Sequence, residues 1–589
     1  MRFFSNILST IIGLFLFLMI LFFGILFLGA IFGGSNSSKV NVKDNSVIEL
    51  DLSKIAADYS GQYFIEKYDF TQVNNDGFVD ILRAIDAAKV DDKIKGISII
   101  NGTINLGLAQ LGELREKLNE FKQADKFVVA YGDTYSQGQY YLNSVADTVY
   151  VNPVGELDFR GLGSEILFFK DLQEKTGIKM EVIRHGKYKS AVEPYIENSI
   201  SEANKEQNLA LLNSIWSTIS TDISKSRNIS VDTLNKIANN LLAQYPEDAL
   251  TYKMVDKVVY EDQYHNGIKK ALGLSKDEDY NSVKINDYAF EVANTATDYS
   301  KSEKIAVIFA QGTIMPGEGD VSYIGEGSIR RSLEKARKND DVKAIVLRVD
   351  SPGGSALTSD LIWREIELTK KVKPVVVSMG NVAASGGYYI ACNANKIFAD
   401  NATITGSIGV FGVVPNISTL SNNIGVHASQ VQTHEQAVGY SVFEPMTEDF
   451  RNNITKSIEK VYDTFITRVA AGRNMTKEQV NELAQGRIWT GTEAKANGLV
   501  DEIGNLDNAI TEAAKLAEVE TYKLVDYPLY ETDFGSFLGK IFTFNMIQSQ
   551  ETLIKNYVGD QAFKAMQQYK NMQQIKGVQA ILPYQIVIN

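Results

Sequence analysis

Ser385 is the residue whose surroundings most favour nucleophilic chemistry. It lies among small residues, in Ala383-Ala384-Ser385-Gly386-Gly387, where an apolar strand pattern changes to a short helical one. A serine at such a turn lies at a helix N-terminus, where outward-pointing N–H groups favour negative charge. Its hydroxyl would need a base, and no histidine stands in a context that marks it as one. A lysine can serve if burial lowers its pKa by roughly 3 units, so that the amine becomes neutral near pH 7.

The second half of the chain repeats the first, and the two halves differ where this chemistry would occur. Residues 127–141 superpose on 375–389, and 176–178 on 424–426, at an offset of 248. At this offset Ser385 corresponds to Gln137, so the first half lacks the serine. The second half has no lysine between 396 and 456, whereas the first half has Lys187 and Lys189 in the equivalent stretch. One half could therefore supply a nucleophile and the other its base.

A second glycine-rich turn, Ser351-Pro352-Gly353-Gly354, follows a buried strand pattern. Glycine lets the backbone approach a ligand closely, and two such turns at the ends of neighbouring strands could form an oxyanion hole. The alternative is that Ser385 caps a helix and the glycines only allow close packing. The first half has Asn105-Leu106 where the second has Gly353-Gly354. This paired loss of the serine and the turn favours the functional interpretation.

A neutral lysine would also need a partner that holds its amine, and Ser407 is a candidate. It lies in Thr405-Gly406-Ser407-Ile408-Gly409. Its hydroxyl could bond a neutral amine, or it could be a turn serine that bonds its own backbone. The spacing of Lys187 and Lys189 does not decide between them, and a lone lysine is usually a solvated surface charge.

The elements that would position these residues alternate along both halves. Apolar runs predict strands at 47–52, 96–100, 127–130, 304–309, 344–349, 374–379 and 396–399. Helical periodicity predicts helices at 78–89, 108–121, 328–338, 357–371 and 386–393, and helical regions at 201–243 and 447–483. Strands separated by helices pair in parallel through crossovers, so the sequence predicts an α/β fold.

The polar stretch 277–304 is the predicted boundary between the halves. We therefore predict a domain over 45–290 that supplies the lysine and one over 300–525 that supplies the serine. Residues 526–589 have no clear counterpart in the first half and form a C-terminal extension without an assigned role.

Composition indicates a globular protein that does not bind nucleic acid. The 589 residues are 44% apolar, which is enough for two or more cores. The net charge of -13 argues against a nucleic-acid surface, which needs clustered lysine and arginine. The single cysteine, Cys392, excludes an internal disulfide and is predicted to be a small buried residue. The four histidines are not in a metal-ligand spacing.

The N-terminus predicts a membrane anchor at residues 1–34. Residues 7–32 are almost wholly apolar and uncharged, and about 20 residues span a bilayer. A cleaved signal peptide has a shorter apolar core and an A-x-A-like site, which Gly29-Ala30-Ile31 matches poorly. Arg2 favours a cytoplasmic start, but Lys39 and Lys43 beyond the span weaken this orientation signal. No later segment has the length and apolarity of a second span, so the remainder is predicted to lie on one side.

Four motifs together resemble the signal peptide peptidase A family, also called protease IV, in its long, duplicated, membrane-anchored bacterial form. They are Tyr188-Lys189-Ser190-Ala191-Val192-Glu193-Pro194, Ser351-Pro352-Gly353-Gly354-Ser355, Ala384-Ser385-Gly386-Gly387-Tyr388 and Thr405-Gly406-Ser407-Ile408-Gly409-Val410. One alone would be weak, but four in this order are highly specific, and the resemblance runs from the anchor to about Gly504. It implies two tandem ClpP/crotonase-like domains of duplicated βα superhelical repeats. It also implies a homotetramer that degrades signal peptides left in the membrane.

The resemblance also assigns roles to individual residues. Ser385 resembles the nucleophile, Lys189 the general base and Ser407 the residue that positions the lysine amine. Gly354 and Gly386 resemble the oxyanion-hole donors. Lys189 is chosen over Lys187 because it directly precedes Ser-Ala-Val-Glu-Pro. The C-terminal tail departs most from the family pattern, so the resemblance gives it no role.

The residues predict a membrane-anchored serine endopeptidase with a Ser–Lys dyad that acts on apolar peptides, and the resemblance implies that cleaved signal peptides are among them. The predicted location is the bacterial inner membrane, with a single span and the catalytic part outside the cytoplasm. No metal or organic cofactor is implied. Two alternatives stay open. One is an acyl-CoA hydratase or thioesterase on the same fold, which would use the two-turn oxyanion hole without the dyad. The other is a catalytically dead membrane scaffold.

Overall fold

A computed structural model describes residues 10–24, 42–55, 57–65, 70–295, 303–531 and 579–581. Residues 10–24 are helical (α1), and no helix within these ranges has both the length and the apolarity to cross a membrane. The predicted anchor, 1–34, extends at both ends outside the described residues. Residues 1–44 form one unit and residues 45–589 another, and the remaining description concerns the second unit.

The first half contains the strands and helices that its apolar pattern predicts. Its strands are β1 (Ser46–Asp51), β2 (Gln62–Ile65), β3 (Phe70–Val73), β4 (Ile94–Ile100), β5 (Phe127–Tyr135), β6 (Thr148–Leu157), β7 (Lys179–His185), β8 (Lys257–Val258) and β9 (Asn281–Lys284). Its helices are α2 (Phe78–Val90), α3 (Leu108–Lys122), α4 (Gln137–Asn143), α5 (Lys170–Thr176), α6 (Glu193–Ile196), α7 (Glu202–Arg227), α8 (Val231–Asn240), α9 (Pro246–Thr251), α10 (Glu261–Ala271) and α11 (Ile285–Thr295), with short 3₁₀ turns at Leu52–Lys54 and Ser190–Val192.

The second half repeats this succession. Its strands, with the last two from the C-terminal extension, are β10 (Lys304–Gln311), β11 (Thr313–Ile314), β12 (Tyr323–Ile324), β13 (Val342–Ser351), β14 (Gly353–Ser355), β15 (Val375–Ala384), β16 (Lys396–Ala399), β17 (Ile404–Gly406), β18 (Val410–Asn416), β19 (Ile488–Thr490), β20 (Glu502–Ile503), β21 (Lys523–Tyr527), β22 (Leu529–Glu531) and β23 (Gln579–Ile581). Its helices are α12 (Glu326–Lys338), α13 (Ala356–Lys370), α14 (Gly386–Ala391), α15 (Ser418–Asn423), α16 (Glu448–Arg473), α17 (Lys477–Leu483), α18 (Gly491–Ala496) and α19 (Leu506–Leu516).

Each half is built on a sheet whose strands pair in parallel, as predicted, except for the antiparallel edge strand β19 of the second half. The first sheet has the order β8-β6-β5-β4-β1-β9 with every pair parallel. The second has the order β19-β17-β15-β13-β10-β21, with β16 and β20 branching from β15. Strands such as β10 and β13 are almost continuously buried, because helices cover both faces of a parallel sheet. The mixed α/β class is therefore confirmed.

The polar stretch 277–304 is not a simple linker. It contains β9, which pairs with β1, and α11, which packs against α2. Val283, Ile285 and Tyr288 are buried there, and these few apolar residues are enough to add both elements to the first half.

A third sheet joins the two halves. Its order is β12-β11-β14-β23-β18-β7, so a strand of the first half, β7, completes a sheet of the second. β7 and β18 are antiparallel over seven residue pairs, from His185 opposite Val410 to Lys179 opposite Asn416. The C-terminal strand β23 lies between β14 and β18.

The halves also share a core and a buried ion cluster. The Tyr59 ring stacks on the Phe309 ring with centroids 4.6 Å apart. Arg348 of β13 donates through Nε to Asp58 (2.7 Å) and through a terminal nitrogen to Glu113 (2.9 Å). All three charged side chains are buried. These contacts fix one half against the other around the site described next.

Candidate active site

Lys189 follows β7 in a loop that the second half covers. The Tyr188 N–H donates to the Gln485 carbonyl (2.8 Å), and Arg184 donates to the Lys189 carbonyl (3.3 Å). The Lys189 side chain is only 1% exposed. Lys187 is exposed instead, with its amine over the Tyr188 ring. The two lysines that spacing could not separate therefore lie in opposite environments.

Ser385 lies where β15 ends and α14 begins. β15 runs five residues further than its predicted end and pairs Ala383 opposite Ser351, which brings the two glycine-rich turns to the same sheet edge. Ser385 is completely buried and has φ 56° and ψ -113°. A non-glycine residue in this region is strained, and such strain is concentrated at functional sites. Its N–H donates to the Gly406 carbonyl (2.8 Å), which holds the turn.

The structure brings Lys189, Ser385 and Ser407 together from the two halves. Lys189 Nζ lies 3.0 Å from Ser385 Oγ. It donates to Ser407 Oγ (3.0 Å) and to the Ser407 carbonyl (3.2 Å). Ser407 is therefore not a turn serine that bonds only its own backbone. Its two oxygens hold the amine while leaving it within hydrogen-bond reach of Ser385.

Burial lowers the pKa of Lys189 to about 7. Water cannot solvate the ammonium ion at this position, so the charged form is disfavoured. A large share of the lysine is then neutral near pH 7, and its nitrogen has a lone pair available for the Ser385 proton. This arrangement can perform general-base activation of a serine.

The two glycine-rich turns lie against each other beside the serine. Gly354 has φ 157°, and a Cβ there would lie 1.9 Å from the Ile314 carbonyl oxygen. Gly386 is the first residue of α14, where amides have no partner within the helix. A Cβ on the next residue, Gly387, would lie 2.6 Å from the Ser351 carbonyl oxygen. Glycine is therefore required for the contact between the two turns.

The turn at 485–487 is a part of the site that sequence reasoning missed. Gly486 has φ +81°, and a Cβ there would lie 2.6 Å from the Cβ of Lys189. Its N–H donates to the Ile408 carbonyl, and the Arg487 carbonyl accepts from the Ser407 N–H. One turn thus contacts both the lysine loop and the Ser407 turn. The only sequence signal was a glycine before a short strand, which is typical of any turn.

Gln207 of α7 is a second missed residue. It is buried, and its amide donates to the Tyr188 carbonyl (3.1 Å) and to Ser190 Oγ (3.0 Å). It therefore holds the backbone on both sides of Lys189. A glutamine within a long helix gave no sequence signal for this role.

The C-terminal strand β23 lies directly on the glycine-rich turn. It is antiparallel to β14, with Ala580 opposite Gly354 and Ile581 opposite Gly353. Gln579 is opposite both Ser355 of β14 and Phe411 of β18. An extended peptide thus occupies the position next to the predicted oxyanion hole.

The position in the first half that is equivalent to Ser385 holds Gln137, whose side chain is hydrogen-bonded to backbone groups. Gln137 is buried, and its side-chain oxygen accepts from the N–H groups of Arg160 (3.2 Å) and Gly161 (2.9 Å). Its amide nitrogen donates to the Gly161 carbonyl (3.1 Å). The side chain that replaces the serine therefore bonds to nearby backbone.

Comparisons with known proteins agree with the duplication. The model of peptidase family S49 matches the chain twice, at residues 120–275 and 367–520. Protease 4 of Haemophilus influenzae is 38% identical over 81% of this chain and 79% of its own. The chloroplastic serine protease SPPA of Arabidopsis thaliana is 32% identical over 74% of this chain and 65% of its own.

A shorter relative matches in part. The putative signal peptide peptidase SppA of Enterococcus faecium is 33% identical over 41% of this chain and 72% of its own. Among solved structures, a ClpP1 mutant of Listeria monocytogenes aligns with 35% of this chain and 94% of its own, at 17% identity and a TM-score of 0.24. Two family matches, together with a relative that covers most of the chain, show that this chain belongs to peptidase family S49.

Proposed function

We propose that the chain is a serine endopeptidase in which Ser385 is the nucleophile and Lys189 the general base. The observation that carries this proposal is the position of Lys189 Nζ, which lies 3.0 Å from Ser385 Oγ and is shielded from water. Ser407 holds the amine, and Gly354 and Gly386 supply the oxyanion-hole N–H groups.

The reaction follows from these positions. Neutral Lys189 accepts the Ser385 proton as Oγ attacks the substrate carbonyl carbon, and the two backbone N–H groups bind the oxyanion. The protonated lysine then gives its proton to the leaving amine as the C–N bond breaks. A water molecule, deprotonated by Lys189, then attacks the acyl carbon; the bond from that carbon to Ser385 Oγ breaks, Oγ takes the proton back from Lys189, and the acid product leaves. Every proton transfer uses the same amine, so no metal or organic cofactor takes part.

The substrate is an extended peptide that binds as a strand. Support comes from β23, which already lies antiparallel to β14 beside the glycine-rich turn. Apolar segments such as cleaved signal peptides fit the name of the Enterococcus faecium relative. The apolar stretch 7–32 supports a single membrane anchor in a bacterial inner membrane, with the catalytic part outside the cytoplasm.

The domain and assembly proposals follow the repeat. The two halves, 45–290 and 300–525, are ClpP/crotonase-like domains of βα repeats, which the parallel sheets and their crossovers support. The chain assembles as a homotetramer, as the family resemblance implies.

Serine-directed labelling combined with peptide hydrolysis tests the dyad. We expect Ser385→Ala and Lys189→Ala each to abolish cleavage and labelling by a fluorophosphonate probe, while the melting curve stays cooperative. Because the two groups act as one unit, the double variant should be no worse than either single one. Lys187→Ala is the matched control and should retain most activity. Hydrolysis that survives Ser385→Ala, or acyl-CoA turnover that Ser385→Ala leaves unchanged, would overturn the proposal.

A further inference from the structure

The strand ladder is interrupted just before the two glycine-rich turns. β13 and β15 pair in step as far as Val349 opposite Met379, and pairing resumes at Ser351 opposite Ala383. Two steps along β13 thus span four steps along β15. Within the described part of the chain, residues 380–381 have a ladder partner in neither neighbouring strand. Extra residues of this kind bend a strand and re-aim it, and they are common next to active sites.

Side chains replace the missing ladder contacts. Asp350 Oδ1 accepts from the Val382 N–H (2.9 Å), and Asp350 Oδ2 accepts from Asn381 Nδ2 (3.2 Å). Asp350 lies four residues before Gly354, and Asn381 lies four residues before Ser385. One pair of side chains therefore links the two strands just before they enter the turns of the active site.

The first half of the chain holds the same asparagine from the other side. The Gln110 N–H donates to Asn381 Oδ1 (3.1 Å), and Asn381 Nδ2 donates to Gln110 Oε1 (2.7 Å). Gln110 is buried, and its Nε2 donates to Asp58 (2.6 Å), a member of the buried ion cluster with Arg348. Both ends of the Asn381 amide are thus held by α3, and the side chain cannot turn without losing a hydrogen bond.

This contact is close enough to require a glycine at the start of α3. A Cβ on Gly107 would lie 2.4 Å from Asn381 Cγ, and the three atoms nearest to it all belong to Asn381. Gly107 has φ -80°, which any residue can adopt. The glycine is therefore required by the approach of the second half and not by its own backbone.

The first half has no such link at the equivalent position. At the repeat offset of 248, Asp350 corresponds to Gly102 and Asn381 to Asp133. Glycine has no side chain to bridge two strands, and Asp133 instead accepts from Asn152 of β6 (2.8 Å). The half that lacks the serine therefore also lacks the carboxylate that joins the two strands.

We propose that Asn381 is a positioning residue through which the first half sets the geometry of the oxyanion hole. It fixes the strand that leads to Ser385 against the strand that leads to Gly354, and α3 holds it in place. The first half then contributes twice to the reaction, with Lys189 as the base and with α3 behind the two turns. The inference rests on the proposed function and goes beyond it.

Two substitutions, made in the full chain in detergent, test this role from opposite sides. Asn381→Ala removes three side-chain hydrogen bonds, and Gly107→Ala displaces the same side chain from within the first half. An oxyanion hole acts on the transition state, so we expect kcat for an extended peptide to fall by about tenfold to hundredfold, with KM changed by less than about twofold. Because both substitutions remove one contact, the double variant should be no slower than the slower single one.

Arg83→Met is the matched control for a looser contact between the halves. Arg83 donates to Asp526 on the edge strand β21, which β10 separates from β13. We expect this variant to lower the melting temperature while kcat and KM stay near their wild-type values. A fall in kcat for Arg83→Met as large as that for Asn381→Ala would overturn the proposal, because general loosening would then explain both.

A peptide aldehyde reports on the oxyanion hole directly. Ser385 Oγ adds to the aldehyde carbon, the serine proton passes to Lys189, and the former carbonyl oxygen becomes an oxyanion at the Gly354 and Gly386 N–H groups. We expect the inhibition constant of a tri-leucine aldehyde to rise in both test variants by the factor by which kcat/KM falls. The matching alcohol forms no adduct, so its inhibition constant should not change. An equal loss of affinity for aldehyde and alcohol would contradict a specific effect on the hole.

Ser385→Ala separates this inference from the dyad. Hydrolysis that survives Ser385→Ala would overturn the dyad and the inference with it. If Ser385→Ala is inactive but Asn381→Ala and Gly107→Ala keep the wild-type kcat and aldehyde affinity, only the role of Asn381 is wrong. Circular dichroism and melting curves establish that each variant is folded, and Gly107→Ala provides the test if Asn381→Ala does not fold.

Discussion

The burial of Lys189 disfavours the charged form of its amine. The ordinary lysine pKa of about 10.4 applies to the unfolded chain, whereas burial lowers the folded value to about 7. Between these two pH values the unfolded chain binds the extra proton. The free energy of unfolding therefore rises with pH across this window, and at pH 7 the buried amine costs on the order of 4 kcal/mol.

We expect Lys189→Met to abolish hydrolysis and to stabilise the protein at pH 7, because methionine has no proton to lose on burial. The gain should shrink as the pH approaches 10, where the lysine of the unfolded chain also becomes neutral. Melting temperatures at pH 7 and pH 10 would measure both effects. Lys187→Met, at the exposed position, should change neither stability nor activity. A Lys189→Met variant that is equally destabilised at both pH values would contradict this account.

Gly486→Ala tests whether close packing sets the basicity of Lys189. A Cβ at residue 486 would meet the Lys189 backbone and Cβ, so the lysine must shift towards water. Its pKa should then rise, and the acidic limb of the pH profile should move to higher pH with a fall of about tenfold or more in kcat near pH 7. Gly273→Ala is the control, because Gly273 shares the left-handed conformation but has open space around it. An unshifted acidic limb would count against the packing argument.

At the scale of elements, local pattern predicted the strands and helices but not the pairings between distant segments. The predicted helix at 108–121 and strand at 396–399 differ from the observed ones by at most one residue. β15 was predicted five residues too short, because Gly380-Asn381 has no strand pattern although it continues the strand. Ser385 could be identified from the repeat, which also narrowed the base to Lys187 or Lys189, and the family resemblance then favoured Lys189. Gly486 and Gln207 could not be identified in this way. Gly486 meets Lys189 only because the fold brings residues about 300 positions apart into contact. Gln207 lies on α7, which packs back on the lysine loop 17 to 19 positions before it, and a helical pattern does not reveal that packing.

The C-terminal strand provides a prediction at this scale. β23 lies on β14, where the proposed substrate strand would bind, so the chain's own residues compete with the peptide. We expect deletion of 579–589 to lower the KM for an extended peptide several-fold with little change in kcat. Deletion of 582–589, which keeps β23, is the matched control and should behave as the full chain. If both deletions leave KM unchanged, β23 does not compete with substrate.

At the scale of the whole molecule, the site depends on how the two halves are held together. Arg348 from the second half pairs with Asp58 and Glu113 from the first, away from water. Removing one partner of a buried ion cluster leaves charge without compensation, and such a change costs about 3–5 kcal/mol.

We therefore expect Arg348→Met to lower the melting temperature strongly and to reduce activity by loosening the halves. Combining it with Asp58→Asn and Glu113→Gln should recover part of the stability, because the uncompensated carboxylates are then gone. Lys338→Met, which breaks an exposed helical pair with Glu334, should cost about 0–1 kcal/mol. If urea unfolding shows equal losses of unfolding free energy for Arg348→Met and Lys338→Met, the buried ion cluster does not hold the halves together.

The division of the site between the halves also determines when the enzyme can first act. During synthesis the first half leaves the ribosome and can fold before the second has been made. That half has Lys189 but has Gln137 where a serine would be needed, so it has nothing to activate. Ser385, Ser407 and Gly486 appear only later, and they must then dock against the lysine loop. A growing chain therefore has no working nucleophile until its synthesis is nearly complete.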